Sequence, residues 1–100
     1  MNKQAVLNFL GLAMRAGKLV TGEEMVIKTI QKEQAKFVFV ANDASENTRK
    51  RLTDKCLYYK VPINFTFDET ELSLAIGRKR MIIAIVDEGF GRKFEELIQG

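Results

Sequence analysis

One hundred residues with 46% apolar side chains are enough to bury a core without help from disulfides or metal. Sixteen Lys and Arg against 13 Asp and Glu leave a net charge of +3, and a pI near 9.1 permits polyanion binding without demanding it. Histidine is absent and Cys56 is the sole cysteine. That excludes imidazole acid–base catalysis, Ser-His and Cys-His nucleophile pairs, nearly all zinc and copper sites and any intramolecular disulfide.

Met1-Asn2-Lys3 followed by Ala5-Val6-Leu7 superficially resembles a secretory leader, but Asn8 interrupts the apolar run and Arg15 follows soon after. Nothing approaches the ~20 apolar residues of a spanning helix, so a cytoplasmic protein without membrane contact is expected. Val6, Phe9, Leu10, Ala13 and Met14 recur at helical spacing, and Gly17 is a natural stop. A short strand at 19–21 follows, then a helix from near Gly22 carrying Val26, Ile27 and Ile30. Phe37 to Ala41 is uninterrupted and apolar, as expected of a strand covered on both faces. Asn42-Asp43-Ala44 leads into a helix with Leu52, Cys56 and Tyr59 on one side and Arg49, Lys50, Arg51 and Lys55 on the others. Cys56 reads as core.

Pro62 opens a strand through Ile63 and Phe65, a helix runs from about Glu69 to Ile76, and Met81 to Val86 is the second fully apolar strand. A last helix spans roughly Gly91 to Gln99. Three helix starts pair a cap residue with a Glu three places on: Thr21 with Glu24, Asp43 with Glu46, and Asp68 with Glu71. Strands alternating with helices predict an α/β fold, a three-layer α-β-α sandwich with a small mixed sheet of about four strands, in a single domain over 1–100.

Two cation-bearing turns stand out from this framework. The first is Lys18 to Glu24, running into the helix that carries Lys28. Gly22 either eases the strand-to-helix turn or lets a phosphate or base edge approach the first-turn amides. Glu23 and Glu24 are unexpected at a polyanion site. Glu24 serves a capping box, or a carboxylate here accepts hydrogen bonds from a guanine edge. Lys28 either pairs with Glu24 on a solvated face or faces phosphate. The second turn is Ile76-Gly77-Arg78-Lys79-Arg80-Met81, whose three consecutive cations can track backbone phosphates. Ile76 and Met81 are either core edge or a surface for an exposed base. The outward-facing Arg49-Lys50-Arg51 run reads as a solubilising face.

Gly22 with Lys28, the Ala41-Asn42-Asp43 turn, and Glu71-Leu72-Ser73-Leu74-Ala75-Ile76-Gly77 with its following loop resemble the kink-turn-binding large-subunit ribosomal protein family, archaeal seven-Ae and eukaryotic thirty-e type. The small bacterial YlxQ-type branch is the part of that family it looks most like. The family pattern at the second helix is Gly, any residue, Asn, Glu, two residues, Lys; Gly22 and Lys28 match, while Glu24 and Met25 stand at the Asn and Glu positions. In the later motif Glu71, Leu72, Ala75 and Gly77 match, and Ser73 replaces a glycine.

The resemblance implies binding of a sharply bent RNA internal loop through sheared G·A pairs. The second-helix start would meet the guanines, and the Ile76–Met81 loop would cover an extruded nucleotide. The expectation is therefore a non-enzymatic RNA-binding protein, ribosome-associated and monomeric. Its partner is structured RNA, ribosomal RNA being one candidate, with no cofactor, metal or small-molecule substrate. The expected RNA-binding residues are Lys18, Gly22, Glu23, Glu24, Lys28, Ile76, Gly77, Arg78, Lys79, Arg80 and Met81, with Arg15 extending the basic rim. Two rivals are a nucleotide-binding α/β domain, for which Gly22 stands alone, and a protein-interaction or ribosome-assembly module docking through Phe90, Phe94 and Leu97.

Overall fold

The two apolar runs form the centre of the sheet. In the computed structural model, which describes residues 1–99, Phe37–Val40 (β2) and Ile82–Ile85 (β4) are buried at every position because helices cover both faces. Leu19–Thr21 (β1) and Ile63–Asn64 (β3) are the half-buried edge strands. The order is β1-β4-β2-β3, with β4 antiparallel to both β1 and β2, and β3 parallel to β2. The sheet is thus mixed, as expected.

The pleat sends alternate side chains to opposite layers. Phe37, Phe39, Ile83 and Ile85 face Lys3–Arg15 (α1), Glu69–Ile76 (α4) and Glu88–Gln99 (α5), meeting Val6, Leu10, Leu72 and Phe94. Val38, Val40, Ile82 and Ala84 face Glu23–Gln31 (α2) and Glu46–Tyr59 (α3), meeting Val26, Ile30, Leu52 and Cys56. The result is the three-layer α-β-α sandwich. Cys56 is 1% exposed, and burial pushes its thiol up to about 12, so it is an inert core residue. Among the described residues no helix is long and apolar enough to cross a membrane.

Of the three expected capping boxes, only Asp68 with Glu71 forms. Asp68 accepts from the Glu71 amide at 2.8 Å, and Glu71 accepts from the Asp68 amide at 3.1 Å. At α3 the cap is Ser45, which accepts from the Thr48 amide at 3.2 Å. Asp43 instead accepts from the Glu69 amide at 3.0 Å and supports the start of α4. At α2 the cap is Gly22, one residue later than expected, because Thr21 is held as the last residue of β1 opposite Ile83. The last helix begins earlier than Gly91, since Asp87 accepts from the Phe90 amide at 2.9 Å and starts the first turn.

The aromatic side of the core centres on Phe94, whose ring lies 4.8, 5.1 and 5.9 Å from those of Phe9, Phe39 and Phe37. Replacing Phe94 by Ala is expected to lower unfolding free energy by ~3–5 kcal/mol, measured by urea denaturation, because the neighbouring rings cannot collapse into the gap.

Candidate nucleic-acid interface

Antiparallel pairing of β1 with β4 puts the end of β1 beside the start of β4. Gly22 N–H donates to the Ile82 carbonyl at 3.0 Å, which extends the ladder one step past Thr21. Arg80 Nε donates to Thr21 Oγ1 at 3.1 Å. The two cation-bearing turns are therefore direct neighbours at one rim of the sheet. The end of β2 reaches the same rim, with Ala41 N–H donating to the Met81 carbonyl at 2.8 Å.

The start of α2 is open to an anion. Gly22 has φ 93° and ψ 144°, a backbone that side-chain-bearing residues rarely adopt, and it makes no side-chain cap. The amides of Glu23, Glu24 and Met25 thus lack the side-chain acceptor that Asp68 supplies at α4. The two carboxylates beside them are held by α3. Glu23 accepts from Thr48 Oγ1 at 3.0 Å and from Arg51 Nη1 at 3.0 Å, and the same Nη1 donates to Glu24 at 2.9 Å. The Arg51 hydrogen bond and its charge hold the Glu24 carboxyl below its ordinary value, and the two carboxylates raise that of Arg51. Glu24 thus neither caps the helix nor pairs with Lys28. Lys28 is exposed and without an ion pair among the described residues.

The second turn is closed at both ends by one hydroxyl-bearing residue. Gly77 ends α4 with φ 78°, and the amides of Gly77 and Arg78 donate to the Ser73 carbonyl at 2.9 and 3.2 Å. Ser73 Oγ accepts from the Arg80 amide at 3.0 Å and donates to the Arg80 carbonyl at 3.2 Å. Arg80 Nη1 donates to the Lys79 carbonyl at 2.7 Å, so this half-buried side chain is largely a strut between the turns. Arg78 and Lys79 are exposed, and they line a shallow depression of about 420 Å³ with Thr70, Leu74 and Gly77.

Three expected residues are placed differently. Lys18 lies at the other end of β1, where its carbonyl accepts from the Val86 amide, and is not brought to the Thr21 rim. Ile76 is 6% exposed and packs in the core, offering no surface to a base; Met81, half-buried between the two core layers, is the apolar side chain at the turn. Arg15 lies along the groove between α1 and α4. Phe94 is fully buried, and Phe90 and Leu97 pack on the same core, so these three form no exposed apolar patch. Sequence reasoning missed Thr48, Arg51 and the hydroxyl of Ser73. For Arg51 the only signal was an unexplained Glu-Glu pair needing a cation.

The model of the ribosomal protein L7Ae/L30e/S12e/Gadd45 family matches residues 4–95. This chain belongs to that family. It is 56% identical to the RNA-binding protein YlxQ of Enterococcus faecium over 99 residues, covering 99% of this chain and 96% of the relative. Identity to the RNA-binding protein YlxQ of Bacillus subtilis (strain 168) is 47% over 90 residues, covering 89% and 90%. Among solved structures, a protein with unknown function from Bacillus halodurans C superposes with a TM-score of 0.91 at 42% identity, covering 95% of this chain and 97% of that one. The Giardia lamblia 15.5kD RNA binding protein shares the fold alone, with a TM-score of 0.85 at 18% identity over 99% and 87% of the two chains.

Arg51→Met should raise the pH at which Glu24 titrates toward the ordinary 4.5, followed by carboxyl-carbon NMR. The sign follows from linkage: a lowered folded-state value stabilises the native protein above about 4.5 and ceases to do so as pH falls through it. Any Glu24-dependent stability gap between the two proteins should close in acid.

Proposed function

We propose that this protein binds a sharply bent, kink-turn-like RNA by its shape, and that it does so in the cytoplasm as a monomer on ribosomal or other structured RNA, without catalysis. The observation that carries the reading is the hydrogen-bonded junction of the two turns, Gly22 to Ile82 and Arg80 to Thr21. One side of a bend would meet the uncapped α2 amides and Lys28, while the other would meet Arg78 and Lys79. Met81 and the aliphatic part of Arg80 would lie under an unstacked nucleotide. Membership of the family and the name of the two YlxQ relatives support RNA as the partner.

Within this reading Glu24 stands where the resemblance puts an Asn that reads guanine. Its carboxylate, already held by Arg51 through one oxygen, keeps the other free to accept from a guanine N1–H or N2–H. Such a contact is worth ~1–3 kcal/mol of discrimination, so the change from Asn bears on which RNA is preferred more than on whether RNA binds. Lys18 has no phosphate role in this arrangement.

A gel shift with a kink-turn RNA and a straightened helix of the same composition tests the proposal; the bent form should bind more tightly, and equal affinity for both would refute shape recognition. Lys28→Ala and Arg78→Ala should each flatten the dependence of log affinity on log salt by about 1. An unchanged slope would remove that residue from the phosphate contacts.

A further inference from the structure

On α3, running away from the first turn, Arg51, Lys55 and Tyr58 are spaced i, i+4, i+7 and form one stripe two turns long. They line, with Asp54 and Tyr59, an open groove of about 500 Å³. Tyr58 is 78% exposed, among the most exposed large side chains of the protein. The Tyr59 ring, half-buried on the α3 core layer, meets it edge-on at 4.9 Å and 71°. A flat aromatic face open to solvent beside two cations is the arrangement on which an unpaired base stacks while its phosphate is neutralised.

Charge and continuity decide what occupies the groove. Asp54, its one acid, is paired with Lys50 at 3.1 Å and Arg51 with Glu23 and Glu24, which leaves Lys55 as the groove's cation without an ion pair among the described residues. Arg51 touches Glu23 and Glu24 through Nη1 alone. A guanidinium has five N–H donors, so the two on Nη2 and the one on Nε remain for an incoming phosphate. Arg51 therefore borders both the α2 start and the tyrosine groove.

We infer that the α3 groove is a second binding site, taking single-stranded RNA: a base stacks on Tyr58, and the adjoining phosphates lie against Lys55 and Arg51. The site goes beyond the bent-RNA reading and does not rest on it, because an unstructured strand offers no bend. In a longer RNA it would hold a single-stranded flank of whatever lies across the two turns.

The chain has no tryptophan and only two tyrosines, both in this groove, so its intrinsic fluorescence reports directly on the site. Titration of the whole protein with a uridine dodecamer should quench tyrosine emission, and added salt should reverse the quenching. Anisotropy of a labelled dodecamer should show affinity falling about tenfold in Tyr58→Ala, staying near wild type in Tyr58→Phe, and falling with a flatter salt dependence in Lys55→Ala. Unchanged emission, which a groove made for a protein partner would give, overturns the inference. So does dodecamer binding that responds to Arg78→Ala but not to Tyr58→Ala, which would put the strand at the Arg78–Arg80 turn. Wild-type protein that binds a kink-turn RNA but not the dodecamer refutes this site alone; wild-type protein that binds the dodecamer but does not prefer the bent RNA refutes the bent-RNA reading alone.

Discussion

Everything at the candidate interface depends on β1 running antiparallel to β4. Thr21 pairs with Ile83, so the chain leaves β1 for α2 at the same rim where it arrives from the 77–81 turn. A parallel edge strand would have put these segments at opposite ends of the sheet. Because β2 is also antiparallel to β4 and β3 is parallel to β2, their ends lie at this rim as well. The starts of α2, α3 and α4 are therefore gathered with the second turn. The carboxyl ends of sheet strands are where open α/β folds present ligand sites, and this sheet reaches that geometry with a single reversed strand, β4.

The acids at the rim are partly balanced once their partners are counted. Two carboxylates beside uncapped amides would by themselves repel phosphate. Arg51, drawn from another helix, balances part of that charge while keeping donors of its own. Exposed ion pairs of this kind add little stability, ~0–1 kcal/mol each, so orientation is the more substantial effect. Glu23, held by Thr48 as well as Arg51, is fixed in place; Glu24, 72% exposed and held by one bond, is the adaptable member.

Much of the fold could be read from sequence because its signals are local. The continuous apolar runs from Phe37 to Ala41 and from Met81 to Val86 read as doubly covered strands, and Asp68 with Glu71 could cap a helix within four residues. The same cap-plus-Glu spacing misled at Thr21 and Asp43, where tertiary partners took the side chains: Arg80 for Thr21, the Glu69 amide for Asp43. Lys18 misled because a strand of only three residues carries its start to the far end of the sheet, ~10 Å from its finish. Ile76 lies at the end of α4 with its side chain turned into the core. Arg51 was hidden by its own context, a run of three cations on a helix that looked uniformly solvated. Only the packing of α2 on α3 separates it from Arg49 and Lys50.

Under the bent-RNA reading, rigidity is what would tie the geometry to a preference for shape. Ser73 binds both backbone groups of Arg80, Arg80 binds Thr21, and Gly22 binds Ile82, so the two turns are joined by a continuous set of hydrogen bonds. Long cationic side chains on a mobile loop would conform to any RNA and lose up to ~2 kcal/mol of side-chain entropy for each one ordered. Here the backbone beneath Arg78 and Lys79 is already ordered, and what remains to be fixed is two exposed side chains. A straight helix offers phosphates along one line, whereas this rim offers donors on two sides of a fixed corner. The hydroxyl of Ser73 adds two bonds, to the Arg80 amide and carbonyl, that a glycine there could not make.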